Sequence, residues 1–239
     1  MWYICTLERK YVFDKIFTIQ RRGAAMLNDN DINELIRLLE DCYPEPVCAL
    51  EYRKDYELLF AARLSAQCTD ARVNMVTPEL FGQFPTLESL AGAEIGEIER
   101  IIHPCGFFRT KARDIVTAAA MLIGEFGGRV PDTMEDLLRL PGVGRKTANL
   151  MLGDIHKKPA VVVDTHCIRL SNRIGLVSTN DPVKIEAALR GALPPEASSD
   201  FCHRLVLHGR AVCTARSPKC LECCIAGVCE INIEQTRKS

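Results

Sequence analysis

Along most of this chain apolar residues recur at the three- and four-residue spacing of an amphipathic helix, broken by short Gly/Pro punctuation. Ile32, Leu35, Ile36 and Leu39 set one such stripe behind a polar, cap-rich stretch, Asn28-Asp29-Asn30-Asp31. Tyr56 to Leu64 gives a second helix, and Ser65-Ala66-Gln67-Cys68-Thr69-Asp70 is a cap-like cluster leading into a third. The pattern from Thr86 to Ile102 predicts one helix, stopped by His103-Pro104-Cys105-Gly106. Lys111 to Phe126 is an Ala-rich helix ended by Gly127-Gly128. Thr133-Met134-Glu135-Asp136 forms a capping box for a helix ending at Leu140. Glu196 to Asp200 reads as a polar loop before the last long helix. Only Ala160 to Val163 looks strand-like, and four residues do not make a sheet. The fold class is all-α.

Two turns share a plan: a helix, a few residues with glycine, then a helix bearing a basic residue in its first turn. One runs from His103 to Lys111, the other from Leu140 to Lys146. A Lys157-Lys158-Pro159 turn separates the central helical block from the C-terminal part of the chain, and the tail after Cys229 looks disordered.

Composition narrows the class. With 239 residues, 47% apolar and 26% charged, the chain can bury a sizeable core. A formal net charge of −1 excludes a polycationic nucleic-acid coat but leaves room for a local basic groove. Residues 100–175 hold twelve Lys and Arg against seven Asp and Glu, which keeps positive charge where a phosphate backbone would need it. The longest uncharged apolar stretch, Ile115 to Gly124, has ten residues, against roughly twenty for a bilayer span. Met1 to Leu7 is apolar but is broken by Glu8, Arg9 and Lys10, so no secretory signal is expected and the chain should be cytoplasmic. Its twelve cysteines are then thiols rather than disulfides. Residues 1–26 fit the remainder poorly and read as a non-essential N-terminal extension.

Cys213, Cys220, Cys223 and Cys229 form a C-x6-C-x2-C-x5-C run within 17 residues, with Pro218 and Gly227 bending the chain. Scattered buried cysteines are the bland reading, but four in one short loop argue against it. Structural zinc usually pairs two short C-x2-4-C knuckles, and only one is present. An iron–sulfur cubane suits the wider, unequal spacing and all-cysteine ligation best.

Leu140-Pro141-Gly142-Val143-Gly144-Arg145-Lys146-Thr147-Ala148 joins two helices through a turn in which Gly142 and Gly144 permit positive φ and close approach to another chain. Backbone N–H groups at the start of the second helix suit an anion, so the hairpin can hold a phosphate without reading sequence. A plain helix–turn–helix corner is the alternative. Lys146 lies in that first turn beside Arg145, where positive charge is disfavoured, as a nucleophilic amine requires. A phosphate-contacting surface lysine is the competing reading. Asp164, after Ala160-Val161-Val162-Val163, looks like the N-cap of a helix ending near Gly175. It can be only a cap, or a fixed carboxylate that stabilises a cationic transition state. His166 alone reads as structural.

Together these residues resemble the endonuclease III family of helix–hairpin–helix DNA glycosylases, from roughly Asp31 to Glu230. The resemblance rests on Leu64-Ser65-Ala66-Gln67-Cys68-Thr69-Asp70, on Leu140 through Asn149, on Val163-Asp164-Thr165-His166, on Leu207-His208-Gly209-Arg210 and on the cysteine spacing. It implies that Lys146 is the nucleophile, Asp164 its catalytic partner, and the four cysteines the ligands of a [4Fe–4S] cluster. It implies two helical lobes flanking a DNA-binding cleft: residues 48–158 as a six-helix lobe with the hairpin, residues 27–47 and 159–235 as the cluster lobe, and 236–239 as a tail. Gln67 matches the family residue that fills the space of a flipped nucleotide, and Phe107 stands where the family has an apolar wedge. Gly142, Gly144 and Arg145 join them as expected DNA contacts.

The implied activity is that of a bifunctional glycosylase and abasic-site lyase on oxidised pyrimidines. It would work as a monomer on double-stranded DNA containing damaged bases or abasic sites, in the cytoplasm and at the nucleoid. A lysine at position 146 argues against the adenine-mismatch and thymine-mismatch branches. The alternative from another class is a non-catalytic DNA-binding or redox-sensing iron–sulfur protein, which would not need Lys146 and Asp164 together.

Overall fold

The computed structural model describes residues 27–231, and every regular element among them is helical. Residues 1–26 and 236–239, expected to be an extension and a tail, lie outside the described residues, as does most of the stretch after Cys229. Helix α1 (Asp29–Cys42) starts at Asn28, whose side chain accepts from the Asp31 N–H while the Asp31 carboxylate accepts from the Asn28 N–H. Ile32, Leu35, Ile36 and Leu39 are its buried face, as their spacing predicts.

Helix α2 (Asp55–Leu64) buries residues on all sides, among them Leu58, Leu59, Phe60 and Leu64, which marks it as the central rod of its neighbourhood. Thr69 caps α3 (Asp70–Gln83). The single helix expected from Thr86 to Ile102 is in fact two, α4 (Leu87–Ala91) and α5 (Ile95–Ile102). Its apolar spacing continues across the break, but the Gly92 N–H turns back to the carbonyls of Glu88 and Leu90 and closes α4. Both helices pack on α6 (Phe108–Phe126), the longest helix. There Gly127 and Gly128 take left-handed φ of 60° and 73°, and the Gly128 N–H donates to the Leu122 carbonyl.

Helix α7 (Met134–Arg139) is capped by Thr133, whose hydroxyl accepts from the Asp136 N–H, but the capping box is half made: the Asp136 carboxylate accepts from that hydroxyl and not from the Thr133 N–H. After α8 (Arg145–Asp154), Ala160, Val161 and Val162 run buried without strand partners. Helices α9 (Thr165–Ile174), α10 (Pro182–Ala192) and α11 (Ser198–Ala211) complete the order. The polar loop expected at 196–200 is instead a 3-10 turn, Pro195–Ala197, running into the first turn of α11. Its hydrophilicity comes in part from Ser198, which is buried, accepts from the Ala160 N–H and donates to the Pro195 carbonyl.

Helices α2 to α8 pack chiefly among themselves, as do α1, α9, α10 and α11. The two groups meet where α8 touches α11. The approach is close because residue 153 is glycine: a Cβ there would lie 2.3 Å from Ser199 Oγ. No described helix is long and apolar enough to cross a membrane.

Candidate active site and iron–sulfur loop

The hairpin between α7 and α8 is built by a Pro-Gly turn. The Val143 N–H donates to the Leu140 carbonyl at 3.1 Å, and Gly142, third in the turn, has φ of 74°, the geometry of a type II turn. Glycine is doubly required here, because a Cβ would lie 2.2 Å from Arg63 Nε and 2.6 Å from Asp114 Oδ2. Those two side chains form an ion pair, with Nε donating to the carboxylate at 2.7 Å. The hairpin therefore rests on a charged platform bridging α2 and α6. Gly144 differs from expectation: its φ is −104°, so it needs no left-handed freedom. Nothing lies within 4 Å of where its Cβ would be, so its missing side chain leaves the start of α8 open.

Lys146 stands exposed at the second position of α8. Arg145 beside it is engaged elsewhere: Nε and Nη2 donate to the two oxygens of Glu186 at 3.0 and 2.7 Å. Glu186 is buried and also accepts from Arg190. Arg145 thus ties the hairpin helix to α10, whatever it offers to a ligand.

Asp164 caps α9, Oδ1 accepting from the Cys167 N–H at 2.7 Å, and α9 ends at Gly175 in the left-handed region. Lys146, Gly142, Gly144, Ser65, Ala66 and Asp164 border one cavity of about 290 Å³. Two chain segments 18 positions apart in sequence, the first turn of α8 and the N-cap of α9, so bring an amine and a carboxylate to one space. At its rim, Arg210 of α11 donates to the carboxylate of Asp70 at the start of α3. His166 packs between α9 and α11. Its Nδ1 lies 3.1 Å from Arg169 Nη2, and burial holds the imidazole below its ordinary pKa. The ring packs where a Cβ on Gly209 would come within 2.6 Å, which explains the glycine of Leu207-His208-Gly209-Arg210.

Gln67 and Phe107 share an unusual backbone state. They adopt φ of 54° and 48°, left-handed values that cost a side-chain-bearing residue about 1–2 kcal/mol. Both are exposed, Phe107 to 65%. Core packing of Phe107 is excluded by that exposure.

Cys213, Cys220, Cys223 and Cys229 border a second pocket, of about 200 Å³, otherwise walled largely by apolar residues including Leu170, Ile174 and Ile225. Among the described residues no three His, Cys, Asp or Glu side chains converge as they would on a single ion. Donors set around a volume suit a polynuclear cluster better than zinc. Burial and the proximity of the other three cysteines push the Cys223 thiol up to about 12, so four thiolates here require a compact source of positive charge. The residues present therefore fit the [4Fe–4S] group.

Only His208 of the frame around these cysteines lies in a motif quoted above. His208 lies between the Tyr43 hydroxyl, 3.0 Å from Nδ1, and Cys223 Sγ, 3.4 Å from Nε2. Arg173 reaches Cys213 Sγ and the carbonyls of Thr214 and Ala215, and Arg169 reaches the carbonyls of Gly209 and Cys213. Arg169 and Arg173 lie one turn apart on α9, a spacing that signals a shared face but not what that face meets.

Comparison with known proteins covers both regions of the chain. The family model described as the HhH-GPD superfamily base excision DNA repair protein matches residues 60–195, and the iron-sulfur binding domain of endonuclease III matches residues 213–229. Endonuclease III of Synechocystis sp. is 47% identical over 197 residues, covering 82% of this chain and 90% of its own. That of Bacillus subtilis is 38% identical over 214 residues, covering 89% and 98%. A trapped endonuclease III–DNA covalent intermediate, in an estranged-adenine complex, superposes with a TM-score of 0.82 at 38% identity, covering 89% of this chain and all of that one. The cluster loop is accordingly a [4Fe–4S] site. The chain belongs to the endonuclease III family of the HhH-GPD superfamily, the DNA glycosylases and abasic-site lyases of base excision repair.

Proposed function

We propose that this enzyme excises oxidised pyrimidines from duplex DNA through a Schiff base on Lys146, with Asp164 as the electrostatic partner of the reacting sugar. The observation that carries this reading is the shared cavity: Lys146 and Asp164 approach it from separate elements, and the open start of α8 borders the same space.

In this reading duplex DNA lies across a cleft between a lobe of residues 48–158 and a second lobe built from α1 and the chain after 159, with the protein acting as a monomer on chromosomal DNA in the cytoplasm. Gly142, Gly144 and the N–H groups at the start of α8 take a phosphate, and Arg145 steadies them from the Glu186 side. The damaged nucleotide leaves the stack, at a cost of about a few kcal/mol. Gln67 occupies the vacated space, and Phe107 stacks on the orphaned base. The Lys146 amine then bonds to C1′ while the C1′–N bond breaks, and the base departs and takes up a proton. Asp164 offsets the positive charge that develops on the sugar. The C1′–O4′ bond then opens, O4′ taking the remaining amine proton, to give the Schiff base, and loss of its C2′ proton expels the 3′ phosphate and cuts the strand. Held by Cys213, Cys220, Cys223 and Cys229, the [4Fe–4S] group would cross-link the C-terminal loop.

Borohydride trapping on a duplex with a single thymine glycol tests this. A covalent adduct is expected with the lesion and not with undamaged DNA, and Lys146→Gln is expected to abolish it together with strand cleavage. An undiminished adduct in Lys146→Gln overturns the nucleophile assignment. Base release without any adduct overturns the lyase step.

A further inference from the structure

Lys111 is the most deeply buried cation of the described residues, with 0% exposure, and its ammonium bonds to no carboxylate. Its Nζ donates to three backbone carbonyls, Leu64 and Ala66 at 2.8 Å and Cys105 at 2.9 Å. All three hydrogens of the ammonium are used, and two loops that are far apart in sequence end on one atom. The carbonyl of Ala66 belongs to the peptide preceding Gln67, and that of Cys105 lies two residues before Phe107.

In sequence this lysine has the same setting as Lys146, a basic residue in the first turn after a glycine-bearing turn. Lys146 is second in its helix and Lys111 fourth. Two residues are about 200° of helical rotation, so the first faces outward and the second inward. One turn further along α6, Asp114 holds Arg63, immediately before Leu64. Burial lowers the Lys111 pKa, the direction expected for an ammonium taken out of water. A cation without a carboxylate partner is costly to bury, and here the cost is met by three carbonyls from two separate loops. What this cation gains is a fixed distance between two strained turns.

We infer that Lys111 is a positioning residue for base excision: its ammonium locks the Gln67 and Phe107 turns to each other, so that the two side chains enter the duplex as one rigid pair. This rests on the reading of Gln67 and Phe107 as the residues that invade the helix. Each holds a left-handed φ that the loop alone does not favour. With the ammonium gone, three carbonyls lose their donor and the two turns relax independently.

The test is a double-mutant cycle in the cluster-bearing full chain, read as the single-turnover rate on a duplex with one abasic site. Lys111→Met is expected to lower the rate by about a hundredfold, the scale of an ångström-level misplacement. Gln67→Ala/Phe107→Ala is expected to lower it too, and adding Lys111→Met to that pair to cost less than about twofold more, because coupled residues are not additive. Multiplying losses mean a structural role only and overturn the inference, as does an unchanged rate in Lys111→Met. If Gln67→Ala/Phe107→Ala leaves the rate intact, the invasion reading itself fails and the inference falls with it. Lys111→Gln, which keeps two N–H donors, is read by the same criteria if Lys111→Met does not fold.

Discussion

In the proposed mechanism Asp164 serves two purposes, which single substitutions separate. As an N-cap it satisfies the Cys167 N–H, a service Asn performs about as well, whereas Ala costs about 1 kcal/mol. Asp164→Asn is expected to melt like the parent yet excise far more slowly, and Asp164→Ala to lose both stability and rate. Equal activity in Asp164→Asn would leave the residue only a cap. Gly142 gives a second residue-scale expectation. Ala there meets the Arg63–Asp114 pair at 2.2 Å and carries the wrong φ, so Gly142→Ala is expected to destabilise by about 1–3 kcal/mol in thermal melting. These residues were legible because each lies in a short motif whose chemistry is local: a Pro-Gly turn, a cap, a cysteine run. Lys111 was not, since nothing in a first-turn lysine says which side of its helix will be covered.

At the scale of elements, helix periodicity identified most helices but missed the break at Gly92, because backbone closure by a glycine N–H leaves the apolar stripe undisturbed. It also missed that α9 does more than present Asp164. The same ten residues carry Arg169 and Arg173 into the cysteine loop. Arg145, expected to face a ligand, shows how an exposed-looking motif residue is recruited by an element the motif does not contain. Burial alone would raise the Glu186 carboxyl, but hydrogen bonds from Arg145 and Asn149, with Arg190, hold it below its ordinary value of 4.5. A depressed carboxyl contributes stability above its unfolded pKa and loses it as pH falls through the folded one. The melting-temperature gap between the parent and Glu186→Gln is therefore expected to be widest near neutrality and to shrink below about pH 4.5. A gap independent of pH would show that the charge on Glu186 contributes nothing.

For the molecule as a whole, the surplus of positive charge between residues 100 and 175 does not translate directly into an exposed basic face. Lys111 is buried, Arg145 is paired, and Arg169 and Arg173 are spent on the cluster loop. Composition records how many charges a segment holds, and only packing decides which of them reach solvent. The loop from Cys213 to Cys229 is joined to the rest by those two arginines, by His208 and by the Cys229 thiol, which donates to the Arg173 carbonyl. Removing the cluster is expected to make this loop the first site of limited proteolysis, with cleavage between residues 213 and 229, while α2 to α8 stay protected.

Helix α6 carries, through Lys111 and Asp114, the backbone of both left-handed turns and the platform under Gly142, whereas Asp164 belongs to a different group of helices. The parts that would grip and probe a duplex thus share one chassis, and the carboxylate that would complete the chemistry is mounted on another. Small relative shifts between the two would detune the reaction without disturbing the search. In a molecule assembled this way, the shape of the probe and the alignment of the reacting groups are set by different contacts and can be altered separately.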